Sequence, residues 1–98
     1  MNPPLVFQAG VRDEIDEAYT WYERHQQGLG EEFLAEVQSV LDRIERDPDL
    51  HAPIYQNVRH SRLNRFPYAV YYRIDPDRIA VMAVHHGKRD PRRWQSRA

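Results

Sequence analysis

Apolar residues along this chain keep two different rhythms. From Val11 to Gln26, the positions Val11, Ile15, Ala18, Tyr19 and Tyr22 recur at the spacing of one helical face. From Glu31 to Arg46 the spacing returns in Phe33, Val37, Val40, Leu41 and Ile44, with Leu34 beside them. Acids load the first turns of the first segment, Arg43 and Arg46 sit in the last turns of the second, and both placements suit the helix dipole. Gly28 and Gly30 interrupt the pattern between them, which predicts a tight reversal and an antiparallel helix hairpin. Pro48 stops the second helix, and DPDLHAPIYQN reads as a surface connection with Leu50, Ile54 and Tyr55 tucked against the core.

The second rhythm has a period of two. Tyr68 to Ile74 and Ile79 to Val84 are rich in β-branched and aromatic residues, and Asp75-Pro76-Asp77 between them is turn chemistry, so a β-hairpin is predicted. Arg65, Phe66 and Pro67 supply another turn, letting Arg59 to Leu63 fold back as a third antiparallel strand. Leu5 to Gln8, after two prolines, reads as an edge strand that starts the sheet. The expected fold class is α+β, in the order β-α-α-β-β-β, with the N-terminal strand in a mainly antiparallel four-stranded sheet and the helix hairpin packed on one face. Val70, Tyr72 and Ile74 should meet the helices. Ala69, Tyr71 and Arg73 should form a half-exposed face able to receive a partner. Ile79 to Val84 is apolar on both sides, so it should be central or covered on both faces, by neighbouring strands or by the C-terminal segment.

Composition adds boundaries. With 98 residues, 41% of them hydrophobic, the chain reads as one domain with a core that needs no staples. It has no cysteine, its first residues lack the basic start and apolar run of a signal peptide, and no segment approaches the length of a membrane span. A cytoplasmic protein is expected. The net charge of −1 conceals a division at Leu50: four arginines against twelve acids before it, a net of −8, and nine arginines with Lys88 against three aspartates after it, a net of +7. That separation fits a basic face for an acidic partner, nucleic acid or peptide, and equally an acidic hairpin neutralising a basic sheet.

Four stretches make the chain resemble a known family: WYE at Trp21 to Glu23, GLG at Gly28 to Gly30, RFPYAVYYRI at Arg65 to Ile74, and HGKRDPRRW at His86 to Trp94. Together they look like the RelE/ParE family of bacterial type II toxins, often called plasmid stabilisation proteins, over almost the whole chain and closer to the ParE-like branch. The resemblance implies a compact α+β fold, a cognate antitoxin partner in a toxin–antitoxin hetero-oligomer, and an attack on DNA gyrase. The RelE-like alternative is a ribosome-dependent mRNA endonuclease. A third possibility is a member that binds antitoxin but is no longer toxic.

Metal-free RNA cleavage would need an acid or base and cations for the phosphorane charge, and Arg65, His86 and Arg89 are the candidates. RelE-like members carry an arginine after the strand tyrosine and a Gly-Lys-Arg after the last strand. Here the second feature is present as Gly87, Lys88 and Arg89, but Ala69 replaces the first, so the leading reading assigns no catalytic residue. His86 has a structural alternative, bonding a neighbouring backbone group to hold the turn before Gly87. The clustered arginines fit phosphate contacts, docking to an acidic protein, or solubilising charge. Target binding is assigned to Lys88, Arg89, Arg92, Arg93 and Trp94, although Trp94 could instead clamp the tail onto the sheet. Antitoxin binding is assigned to Tyr71 and Arg73. No metal and no cofactor are expected: adjacent strand histidines point to opposite faces, and no nucleotide-binding fingerprint occurs.

Overall fold

A computed structural model describes residues 3–98. The chain runs through β1 (Leu5–Phe7), α1 (Val11–His25), α2 (Leu29–Arg46), a 3-10 turn at Pro48–Leu50, β2 (Pro53–Tyr55), β3 (Val58–Arg62), β4 (Tyr68–Ile74), β5 (Ile79–His86) and a short α3 (Arg92–Gln95). The helix hairpin forms as the apolar stripes require. Val11, Ala18 and Tyr22 of α1 and Phe33, Val37, Val40, Leu41 and Ile44 of α2 are buried against Val70, Tyr72, Ile79, Val81 and Val84 of the sheet. No described helix is long and apolar enough to cross a membrane.

The reversal between the helices explains two of the sequence signatures. Gly28 takes a left-handed φ of 88°, and a Cβ on Gly30 would lie 2.8 Å from the Tyr19 ring. The backbone N–H groups of Gly28 and Gly30 both donate to the Glu23 carboxylate, at 2.9 and 3.0 Å. Glu23 thus satisfies donors that the start of α2 would otherwise leave open. Next to this reversal, Tyr22, Phe33, Phe66 and Tyr68 form an aromatic knot with ring centroids 4.8–6.1 Å apart.

The sheet order is β1-β5-β4-β3-β2, with β1 parallel to β5 and the other pairs antiparallel. Five strands replace the expected four. Pro53–Tyr55, which reads as surface connection, pairs with β3 through Pro53↔Arg59 and Tyr55↔Val58, across a tight turn in which Gln56 has φ 51°. Its three residues carry too little alternation to announce a strand. The same segment corrects a second expectation: Leu50 and Ile54 are 57% and 45% exposed, because this outer edge of the sheet lies beyond the reach of the helix hairpin, and only Tyr55 packs inward.

The centre of the far face of the sheet is also covered. Tyr71 is only 6% exposed, which overturns the expected open face over Tyr71 and Arg73. After β5 the chain turns back, and α3 lays Trp94 flat on Tyr71 to make a second small core with Val58, Ala69, Met82 and Ala83. Between Tyr71 and Tyr72 the pairing with β5 slips by one residue, Tyr71 opposing Ala83 and Tyr72 opposing Val81, so Met82 is an extra residue on β5.

Candidate functional site

A groove of about 610 Å³ opens between α1 and the C-terminal half of β5. Glu14, Glu17, Ala18, Trp21 and Tyr22 of α1 form one wall, and Lys88, Arg89 and Arg93 form the other. Tyr68, Val84, His85 and His86 lie between them. Trp21 is 55% exposed, stacks on His25 with centroids 3.8 Å apart, and meets Tyr22 edge-on. The groove exists because β1 is short: it covers only Ile79 to Val81 of β5. Beyond it, the exposed edge of β5 is served by side chains. Glu14 Oε1 accepts the Val84 N–H at 3.1 Å, the Arg97 guanidinium donates to the Met82 carbonyl at 2.9 Å, and the two side chains approach each other to 3.1 Å. An unpaired strand edge is a site of unwanted pairing, and this charged pair occupies it.

The ion pairs sort the basic residues. Arg59 is beside Asp49, Arg65 beside Glu32 and Glu36, Arg73 beside Asp75, Arg78 beside Asp77, Arg92 beside Asp90 and Arg97 beside Glu14. Lys88, Arg89 and Arg93 have no ion-pair partner among the described residues, and all three face the groove. Of the five residues assigned to target binding, these three therefore form one free cationic ridge. Arg92 is held bidentate by Asp90, donating from Nη2 to Oδ2 at 2.6 Å and from Nε to Oδ1 at 3.1 Å, which raises the pKa of the guanidinium and lowers that of the carboxyl. Trp94 is buried, so it clamps the tail instead of tipping a recognition arm.

The ribonuclease candidates do not converge. Arg65 lies in the β3–β4 loop, clasped by Glu36 at 3.1 Å and Glu32 at 3.5 Å, and does not line the groove that His86 and Arg89 share. His86 Nδ1 accepts the Lys88 N–H at 3.0 Å, and its ring stands edge-on to Tyr68 at 5.3 Å, the turn-holding arrangement anticipated for it. His85 is buried with no partner for Nε2, and burial together with the nearby Arg93 guanidinium pushes its imidazole below the ordinary histidine value, against the pull of Glu14. Of the two residues assigned to the antitoxin, Tyr71 is covered and Arg73 grips Asp75 through two hydrogen bonds at 2.8 and 3.1 Å. Among the described residues no cluster of three or more His, Cys, Asp or Glu side chains could hold a metal.

Sequence reasoning missed Glu14, Glu17 and Arg97 at this site. Glu14 and Glu17 read as dipole complements in a helix start, and no local spacing links Glu14 to Val84 or Arg97.

Comparison with known proteins agrees with this architecture. Residues 5–91 match the family described as the ParE toxin of the type II toxin-antitoxin system, parDE. The chain is 32% identical over 92 residues to proteins named Toxin ParE2 from Mycobacterium tuberculosis strains CDC 1551 and H37Rv, covering 93% of this chain and 88% of theirs. A solved structure, the chromosomal ParDE TA system from P. aeruginosa, superposes with a TM-score of 0.64 at 17% identity, covering 86% of this chain and 95% of that one. That likeness is one of fold.

Proposed function

We propose that this chain, which belongs to the ParE toxin family of type II toxin–antitoxin systems, arrests growth by binding and inhibiting DNA gyrase in the cytoplasm, and is held inactive by a cognate antitoxin. It acts as a binding inhibitor and has no catalytic residue of its own. The observation that carries this reading is the sorting of the cations. Six arginines are spent on carboxylates of the same chain, and of the remaining cations Lys88, Arg89 and Arg93 gather on one ridge, across the groove from the exposed Trp21. Unpaired charge at a rim steers association and selects an acidic partner surface, and an aromatic beside it supplies an anchor.

Three features weigh against chemistry at this ridge. Ala69 offers no cation, His86 spends Nδ1 on the Lys88 amide, and Arg65 is neutralised elsewhere. The experiment is DNA supercoiling by purified gyrase with the parent chain and with Lys88→Glu/Arg89→Glu/Arg93→Glu, alongside mRNA cleavage on translating ribosomes. Supercoiling should be inhibited by the parent and recover by about tenfold or more with the folded triple variant. Ribosome-dependent cleavage with no effect on supercoiling would overturn the reading.

A further inference from the structure

Two histidines on the side of the sheet away from the helices have no part in the proposed function. Tyr71 on β4 stands between His60 on β3 and His85 on β5, with ring centroids 5.6 and 6.3 Å away. Trp94 lies on the same Tyr71 ring, so the docked tail and both imidazoles share one aromatic support. Nδ1 of His60 and Nε2 of His85 are buried with no hydrogen-bond partner, and His85 as a whole is 3% exposed. We infer that this cluster is an acid-operated latch: in mildly acidic solution His60 and His85 take up protons and the C-terminal segment carrying Trp94 lifts off Tyr71, while the helix hairpin and its core stay folded.

The surrounding charges favour release over retention. Among the described residues His60 faces Arg62 of its own strand, His51 from the connection before β2 and the Tyr71 phenol, none of them a carboxylate. His85 faces Arg93 of α3, Arg89 of the preceding loop and the Tyr71 phenol, with Glu14 of α1 and Asp90 as the carboxylates in reach. Both carboxylates are already engaged, Glu14 by Arg97 and the Val84 N–H, Asp90 by Arg92. Burial, then the neighbouring cations, holds each imidazole below the ordinary histidine value. A proton on either ring would create a buried cation beside other cations, which an interior tolerates poorly. Lifting the tail hydrates both rings and takes Arg93 away from His85. The docked form is therefore favoured in full above about pH 6.5 and loses ground as pH falls from there toward the lower docked-state values. Each proton taken up only on opening lowers the ratio of docked to open tail by about tenfold per pH unit at its steepest. Because Arg93 is carried on α3, opening also withdraws one of the three cations from the ridge.

Docking can be read from the tail's own amides. The Ser96 N–H donates to the Arg92 carbonyl at 3.0 Å and the Arg97 N–H to the Trp94 carbonyl at 3.1 Å, and a four-residue helix cannot hold such bonds away from the sheet. The experiment follows hydrogen exchange at Ser96 and Arg97 in the full chain from about pH 8 to about pH 5, corrected for the intrinsic pH dependence of exchange, with NMR titration of the histidine rings in the same samples. Below about pH 6.5 protection should fall by up to about a hundredfold per pH unit in the parent and about tenfold in His60→Gln or His85→Gln, and stay level in the double variant, while Val37 and Val40 of α2 remain protected throughout. Protection that is independent of pH in the parent, or that falls as steeply in the double variant, overturns the inference. Loss of protection at Val37 together with Ser96 would be global unfolding and overturns it too. Should the double variant fail to fold, the parent decides alone: uptake of protons by His60 and His85 over the interval in which Ser96 loses protection supports the latch, and uptake with Ser96 still protected overturns it.

Discussion

Trp94 lies on Tyr71 with ring centroids 4.5 Å apart and planes inclined by 22°. Tyr55 meets the same indole edge-on at 5.8 Å, so a tail of few residues covers the centre of the far face of the sheet. Offset stacking of this kind adds to the stabilisation that the buried area already provides.

Trp94→Ala should therefore destabilise the chain by about 3 kcal/mol, from lost burial and the cavity left over Tyr71, Met82 and Ala83. Tyr71→Ala should likewise cost stability before it affects any partner. Both are read from urea midpoints. A parental midpoint for Trp94→Ala would mean that the tail does not dock in solution.

Val37 is buried between α2 and the sheet. Val37→Asp would place a carboxylate there with no partner, at a cost of several kcal/mol, about 3 or more, and folding should fail at ordinary temperatures. Retention of cooperative unfolding near the parental midpoint would show that the helix face is wrongly placed.

Glu36 ties α2 to the β3–β4 loop by accepting the Asn64 N–H at 2.8 Å and the Arg65 Nε–H at 3.1 Å. Partial burial pushes its pKa up, but the Arg65 and Asn64 hydrogen bonds and the Arg65 charge outweigh it, and the net direction is down. A carboxyl lowered in the folded state contributes stability above its unfolded value, about 4.3, and loses it as pH falls through the lower folded value. Glu36→Gln should cost about 1 kcal/mol at neutral pH and flatten the stability profile on the acid side of pH 4.3. Parallel profiles for parent and variant would assign the acid sensitivity to other carboxyls.

His86→Ala removes the acceptor for the Lys88 N–H and loosens the turn, yet leaves the cationic ridge in place. Growth arrest on induction should persist within about threefold of the parent, since a general acid or base would instead be worth about 10²–10⁴-fold. Loss of arrest in a variant with parental circular dichroism would move the chain to the ribonuclease class. Deleting residues 92–98 is a poor probe of target binding, because it also strips Trp94 from Tyr71; charge reversal at Arg93 separates the two effects.

The helix hairpin was legible because each helix has one buried side that a single apolar stripe records, and the long strands because their β-branched and aromatic runs are bounded by turn residues. Only α2 starts appreciably off expectation, at Leu29 instead of Glu31, since Glu23 secures its first amides from a distance. Three features left no such record. β2 is too short to alternate. The cover over Tyr71 comes from Trp94, whose buried and exposed readings look alike in sequence. The site itself depends on Glu14 reaching Val84, seventy positions away, and on which arginines find carboxylates. Side-chain pairing of that range is a property of the assembled sheet.

The unmatched Met82 gives β5 a change of phase. Ile79, Val81 and Val84 all face the helices, although an uninterrupted strand would send Val81 and Val84 to opposite sides, and Met82 and Ala83 both join the Trp94 side. Every residue after the slip is displaced by one beat: His85 looks toward Tyr71, at 6.3 Å between rings, and His86 toward Tyr68. Excising Met82 would restore an even ladder and leave both histidines on the faces they now occupy, because Ala83 and Val84 would keep Tyr71 and Val70 as partners. The extra residue therefore sets the far end of the strand: with Met82 kept and the slip ironed out, the imidazole that braces the Lys88 turn would change places with the one kept dry against Tyr71.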